Sequence, residues 1–153
     1  MTEKNVFSLE EQQSILVKIL DFVNRIEGLP VEAIGLDEVD ETPSMCIGTI
    51  NGGGKGRFNV VGGYFADFPF ALYLKINTKD TQSRIDAISV LTQIGVLFDE
   101  QTRKGELPEL EGRDSSIKIE MISLPHQFGE DETGNRLYQA MCNLNYRHKS
   151  IYE

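Results

Sequence analysis

The sequence predicts an α+β fold, a mainly antiparallel sheet with two principal helices packed on one face. Three observations predict it. Phe68, Phe70, Leu72, Leu74 and Ile76 alternate with Pro69, Ala71, Tyr73, Lys75 and Asn77, the period of a strand with one apolar face. Ile85, Ile88, Leu91, Gly95 and Phe98 then recur at spacings of three and four, with Ala87, Val90, Ile94 and Leu97 widening the apolar side of a helix. The whole chain reads in the order helix, several strands, helix, two strands.

The first helix is expected over residues 8–26. Ser8 with Glu11 three residues on fits a capping box, and Ile15, Leu16, Ile19, Leu20, Phe22, Val23 and Ile26 supply a broad apolar face. Gly28 and Pro30 read as its stop. Residues 31–36 read as a short strand, and the acidic run Asp37, Glu38, Asp40, Glu41 as a solvated loop. It lacks the glycine turn and the Asp/Asn spacing of a calcium loop. Strands are expected at 45–50 and 58–65, with Gly62 and Gly63 marking a bulge or close backbone approach. Thr78 or Asp80 is placed to cap the second helix, whose end falls near residues 101–105, where Arg103 and Lys104 complement the helix dipole. Leu107 and Leu110 anchor a loop, Ile117, Ile119 and Met121 share a strand face, and 125–136 reads as a polar loop. The last strand, 137–148, puts Tyr138, Ala140, Cys142, Leu144 and Tyr146 on one face.

At 153 residues, 40% hydrophobic and 25% charged, the chain is expected to form one domain, 1–153, with a full core. The formal net charge of −9 opposes sequence-specific reading of nucleic acid, which replaces phosphate counterions with basic side chains, and opposes docking on an anionic membrane. No apolar run reaches the roughly 20 residues that span a bilayer. The start lacks the pattern of a secretory signal, and two cysteines, Cys46 and Cys142, make no disulfide framework. Buried free thiols in a reducing cytosol are the expectation.

The most conspicuous motif is Gly52, Gly53, Gly54, Lys55, Gly56 and Arg57. A phosphate-binding loop needs G-x-x-x-x-G-K-[ST] running into a helix. Here Lys55 is followed by Gly56 and a strand-like segment, so the motif reads instead as a long flexible hairpin tip. Its glycines are costly to order, and its expected role is to reach another molecule and order there. These six residues are the candidate subunit or partner contacts. His126 and His148 stand outside any nucleophile, metal or acid–base motif, and H-E-x-x-H, C-x-x-C and G-x-S-x-G are absent. No catalytic residue, cofactor or metal is expected, and the chain does not read as an enzyme.

Several strings carry a family resemblance: FALYLKIN at 70–77, DTQSRIDA at 80–87, LPEL at 107–110, IEMISLP at 119–125 and YQAMCNLNY at 138–146. The chain resembles the small minor capsid proteins encoded in the structural gene clusters of tailed phages and prophages of Gram-positive bacteria, which look like tail terminators of long-tailed phages. The resemblance runs from about residue 70 onward and rests on packing patterns rather than catalytic signatures. It implies a virion protein of the tail and neck, assembled in the bacterial host cytoplasm. It implies a homo-oligomeric, hexameric ring that caps the tail tube protein, meets a head-completion protein, and lets DNA pass through. Exposed strand faces and sheet edges are then available for subunit pairing. The alternatives are another head–tail neck protein, a head-closure adaptor or stopper, and a small-molecule-binding α+β domain using residues 52–56.

Overall fold

A computed structural model of the chain describes residues 6–28, 35–36, 44–50, 53–76, 81–130, 132 and 134–152. The elements are α1 (Leu9–Asn24), β1 (Gly35–Leu36), β2 (Ser44–Thr49), β3 (Gly54–Gly56), β4 (Tyr64–Ile76), α2 (Thr81–Lys104), β5 (Asp114–Met121), β6 (His126–Glu130) and β7 (Arg136–His148). The expected α+β architecture is what these elements build. Six strands pair antiparallel, and the two-residue β1 joins β2 in parallel.

Two long strands form the spine. β4 and β7 pair in unbroken register from Tyr64 with His148 to Ile76 with Arg136. Each flank carries two short strands end to end: β2 and β3 along β4, and β5 and β6 along β7. The register sets Phe68 beside Leu144, Phe70 beside Cys142 and Leu72 beside Ala140, so the apolar alternations of both strands meet on one face. All six of those side chains are at most 2% exposed.

Both helices close that same face. From α1 come Ile15, Leu16, Ile19, Phe22 and Val23, and from α2 come Ala87, Leu91, Ile94 and Phe98, all within one contiguous core. Phe98 meets Phe70 edge-on with ring centroids 6.3 Å apart, and Phe7 meets Phe68 edge-on at 5.3 Å. The capping box at the start of α1 is formed: Glu11 N–H donates to Ser8 Oγ and Ser8 N–H to Glu11 Oε1, each at 3.1 Å. At the end of α2, Gly105 takes φ +74 while its N–H donates to Thr102 O and the Glu106 N–H to Gln101 O. This is the Schellman closure that a glycine at C′ permits. Leu107 and Leu110 then pack on the core, as their spacing suggests.

The structure corrects several expectations. α1 ends at Asn24 with Arg25 as its cap, and Gly28 takes φ +82 beyond it. Ile88 is 40% exposed, because the buried stripe of α2 runs through Ala87, Leu91, Ile94 and Phe98 instead. Residues 58–63 are not strand. Asn59 Oδ1 accepts the N–H groups of Val61 and Gly63, and Gly63 O accepts Asn59 N–H, folding the segment into a closed turn before β4. Ile117 does not share a face with Ile119, since a bulge between Ser116 and Lys118 turns it out to 45% exposure. The segment 125–136 contains β6 rather than loop alone. The short strand 31–36 is described only at β1, and Ile85 lies outside the described side chains. The Asp37–Glu41 run, Pro30, Thr78, Asp80 and Asp131 lie outside the described residues.

The outer edge of β5 is not bare. Thr102 Oγ1, on the last turns of α2, accepts Ile119 N–H at 3.1 Å and donates to Ile119 O at 3.0 Å. With the Ile117 bulge beside it, the stretch of edge open to another strand is shorter than the sequence suggests.

Candidate functional site

The glycine-rich segment is built into the sheet. Gly52 lies outside the described residues, but Gly54, Lys55 and Gly56 form β3 and pair with Asp67, Ala66 and Phe65 of β4. Gly53 explains one of the glycines. It has φ +70, and a Cβ there would stand 2.4 Å from both Asp67 O and Pro69 Cδ, so only glycine brings the chain this close to β4. The long flexible tip of the sequence reading is therefore corrected for 53–56. The ordering cost of the glycines is offset by ladder hydrogen bonds and by what Lys55 reaches.

Lys55 points back into the molecule. Its Nζ stands 2.7 Å from Glu11 Oε2 and 2.9 Å from Oε1, and its side chain is only 12% exposed. The ammonium also lies over the rings of Phe7 and Tyr64, at 5.8 and 5.2 Å from their centroids. Partial burial alone would raise the Glu11 carboxyl, but its bonds to Lys55 and Ser8 outweigh that and hold it below its ordinary value. A lysine so engaged is poorly placed to bind a phosphate at the loop, which removes the main support for a nucleotide-binding reading.

Beside this clamp the end row of the sheet aligns Tyr64, His148 and Asp114. The His148 ring stacks on Tyr64 at 4.8 Å, and its Nδ1 contacts Asp114 Oδ1 at 2.6 Å. Sequence reasoning missed this pair, because strand register rather than any local motif brings the two together. Burial pushes the Tyr146 hydroxyl far up and raises Tyr64 as well. Cys46 and Cys142 are buried free thiols, as expected, and burial pushes Cys142 far up. Among the described residues no three His, Cys, Asp or Glu side chains gather in a group that could hold a metal. Nor is any described helix long and apolar enough to cross a membrane.

Arg57 behaves differently from Lys55. It takes φ +51, an uncommon conformation for a residue with a Cβ, and its side chain is exposed. Its guanidinium lies over Phe65 at 5.6 Å, and Arg147 lies over the same ring at 5.5 Å. Phe65, on the sheet face away from the helices, keeps 39% exposure. Arg57 and Phe65 border a groove of about 760 Å³, with β3 as one wall, Ile117 and Lys118 of β5 as the other, and Asp67 and Asn145 beside Phe65 in its floor. Asp67 accepts from the Asn143 and Asn145 amides, so the acid in the floor is internally satisfied. Toward β2 the same face is covered, with Cys46, Pro69 and Ala71 buried. Of the six residues singled out by sequence, Arg57 thus faces the groove, Lys55 is committed to α1, and the described glycines shape the wall. Phe65, Ile117 and Lys118 were missed. The one local signal for them was an aromatic, Phe65, on the polar side of its strand.

A scan against protein-family models finds no match to this chain, and a search of curated proteins finds none either.

Proposed function

We propose that this chain is a structural virion-assembly protein, a tail terminator whose copies form a hexameric ring. The ring caps the tail tube, ends its polymerisation and offers the joint to a head-completion protein. It catalyses no reaction and holds no cofactor. The observation that carries this reading is the asymmetry of the sheet. Among the described residues both helices cover one face, while the other keeps an amphipathic groove where Arg57, Phe65 and Arg147 stack. An open groove of mixed aromatic and arginine character is what a protein–protein contact uses. The net charge of −9 suits a lumen through which DNA slides without sticking.

The test is electron microscopy of the purified protein alone and with assembled tail tubes. Rings, and density on one tube end that halts growth, are the expected result. In an infected host, loss of the gene is expected to give tails of uncontrolled length that do not join heads. Tails of normal length with leaking heads would shift the assignment to a head-closure protein. A chain that neither rings nor meets tube ends would overturn the proposal.

A further inference from the structure

We infer that Thr102 is an autoinhibitory plug: from the end of α2 its hydroxyl holds the two backbone groups of Ile119 that a strand of a second copy would otherwise take. The strand order ends at β5, so among the described residues β7 is its one strand neighbour. An outer strand of this kind offers its free N–H and C=O groups to any strand that arrives. In a solution of this chain alone, the arriving strand belongs to another copy.

Three observations carry the inference. First, the contact copies a strand pair. In an antiparallel ladder a hydrogen-bonded residue gives its own N–H and receives another at its carbonyl. Thr102 Oγ1 accepts Ile119 N–H at 3.1 Å and donates to Ile119 O at 3.0 Å, so one hydroxyl satisfies both groups. Second, the plug is fixed from both sides. Thr102 O accepts Gly105 N–H at 3.1 Å in the closure of α2, and the Ile119 side chain is 1% exposed. Gly95 stands about two turns earlier on the same side of the helix, and a Cβ there would lie 3.0 Å from Met121 Sδ. α2 therefore runs close along β5 at two points, Met121 and Ile119. Third, threonine is a poor helix former, and a hydroxyl inside a helix commonly turns back on the helix's own carbonyls. Here it bonds a different element, which gives the residue a use that the helix alone does not.

Sedimentation velocity of the intact chain over a concentration series tests this, read beside amide exchange at Ile119. Thr102→Val keeps the shape of the side chain and removes the hydroxyl, and Thr102→Ala removes it a second way. Relative to wild type, whether that is a monomer or a ring, both are expected to form larger species at about tenfold lower concentration. In dilute solution their Ile119 amide should exchange about tenfold faster, with protection returning as they associate. Thr102→Ser restores the hydroxyl and is expected to match wild type in both readouts. Adding Ile117→Lys to Thr102→Val puts a charge on the exposed edge and should reverse the association. Ile94→Ala weakens the core and leaves the plug intact, so it should associate no more than wild type. The inference is overturned if the hydroxyl-free variants associate as wild type does, if their Ile119 amide keeps its protection, or if Ile117→Lys changes nothing. Equal association of Ile94→Ala also overturns it, because the effect then follows lost stability rather than a freed edge. Every readout is a difference from wild type, so a chain that forms no rings and meets no tube ends would remove the tail reading and leave the plug standing.

Discussion

Replacing Lys55 by methionine removes the ammonium and keeps most of the apolar stem. The stem still packs beside Phe7 and Tyr64. What is lost is the ion pair with Glu11, at 2.7 and 2.9 Å, and the charge over two rings. Exposed ion pairs are worth about 0.2–1 kcal/mol, and with 12% exposure at Lys55 against 36% at Glu11 this one belongs near the top of that range. The cation–π contacts add about 0.5–1 kcal/mol. The substitution is therefore expected to cost about 1.5–2 kcal/mol, a fall in Tm of roughly 4–6 °C for a chain of this size. Urea unfolding of Lys55→Met, Glu11→Gln and the double variant isolates the pair. A coupling energy of about 1 kcal/mol is expected. Glutamine at position 11 can still accept Ser8 N–H, so the cap survives in the single variant. A Lys55→Met chain as stable as wild type, with coupling near zero, would refute the clamp and return residues 53–56 to a projecting tip.

Three further outcomes and a pH dependence follow from the packing. The Glu11 carboxyl is held below its ordinary value of 4.5, so its contribution is fully present above that pH and is lost as pH falls through the lowered value. The stability gap between wild type and Lys55→Met should therefore narrow only on the acid side of 4.5, and a gap that closed nearer neutrality would contradict this. Gly53→Ala meets Asp67 O and Pro69 Cδ at 2.4 Å under φ +70, and should cost about 2–3 kcal/mol or free β3 from β4, visible as faster amide exchange at 54–56. Thr102→Val keeps the shape but breaks both bonds to Ile119; about 2 kcal/mol is expected in urea unfolding, and a neutral result would show the β5 edge satisfied without it. Gly95→Ala sets a helix-propensity gain of about 1 kcal/mol against a Cβ 3.0 Å from Met121 Sδ and 3.2 Å from Met121 Cβ, where overpacking costs about 1–3 kcal/mol. A net loss of about 1 kcal/mol is expected, and clear stabilisation would mean Met121 shifts freely.

What was legible in the sequence was whatever a local period or a local cap encodes. The alternations in β4 and β7 and the Ser8–Glu11 box all stand as read, because neighbours along the chain determine them. Errors fell where pairing is non-local. HQFGE at β6 carries almost no alternation, and only its register against Gln139 to Arg136 makes it a strand. Ile117 kept the period in sequence and lost it to a bulge that the partner strand imposes. At the candidate site, composition drew attention to the glycines and Lys55, yet Lys55 is claimed by a glutamate from another element. The groove needed Phe65, Ile117 and Asn145 to be brought together by the sheet, and no window of sequence contains that meeting.

The β4–β7 spine also sets the tempo of assembly. Tyr64 pairs with His148 and Ile76 with Arg136, so the central ladder closes around everything between, including α2, β5 and β6. Until residues 136–148 leave the ribosome, β4 has no partner on that side, and Phe68, Phe70, Leu72 and Leu74 have no finished sheet to complete. Long-range closure of this kind is slow, and it leaves an apolar strand exposed to other nascent chains in the meantime. The same register that gives the finished protein its longest ladder thus makes the newly made chain most vulnerable to aggregation just before its last strand arrives.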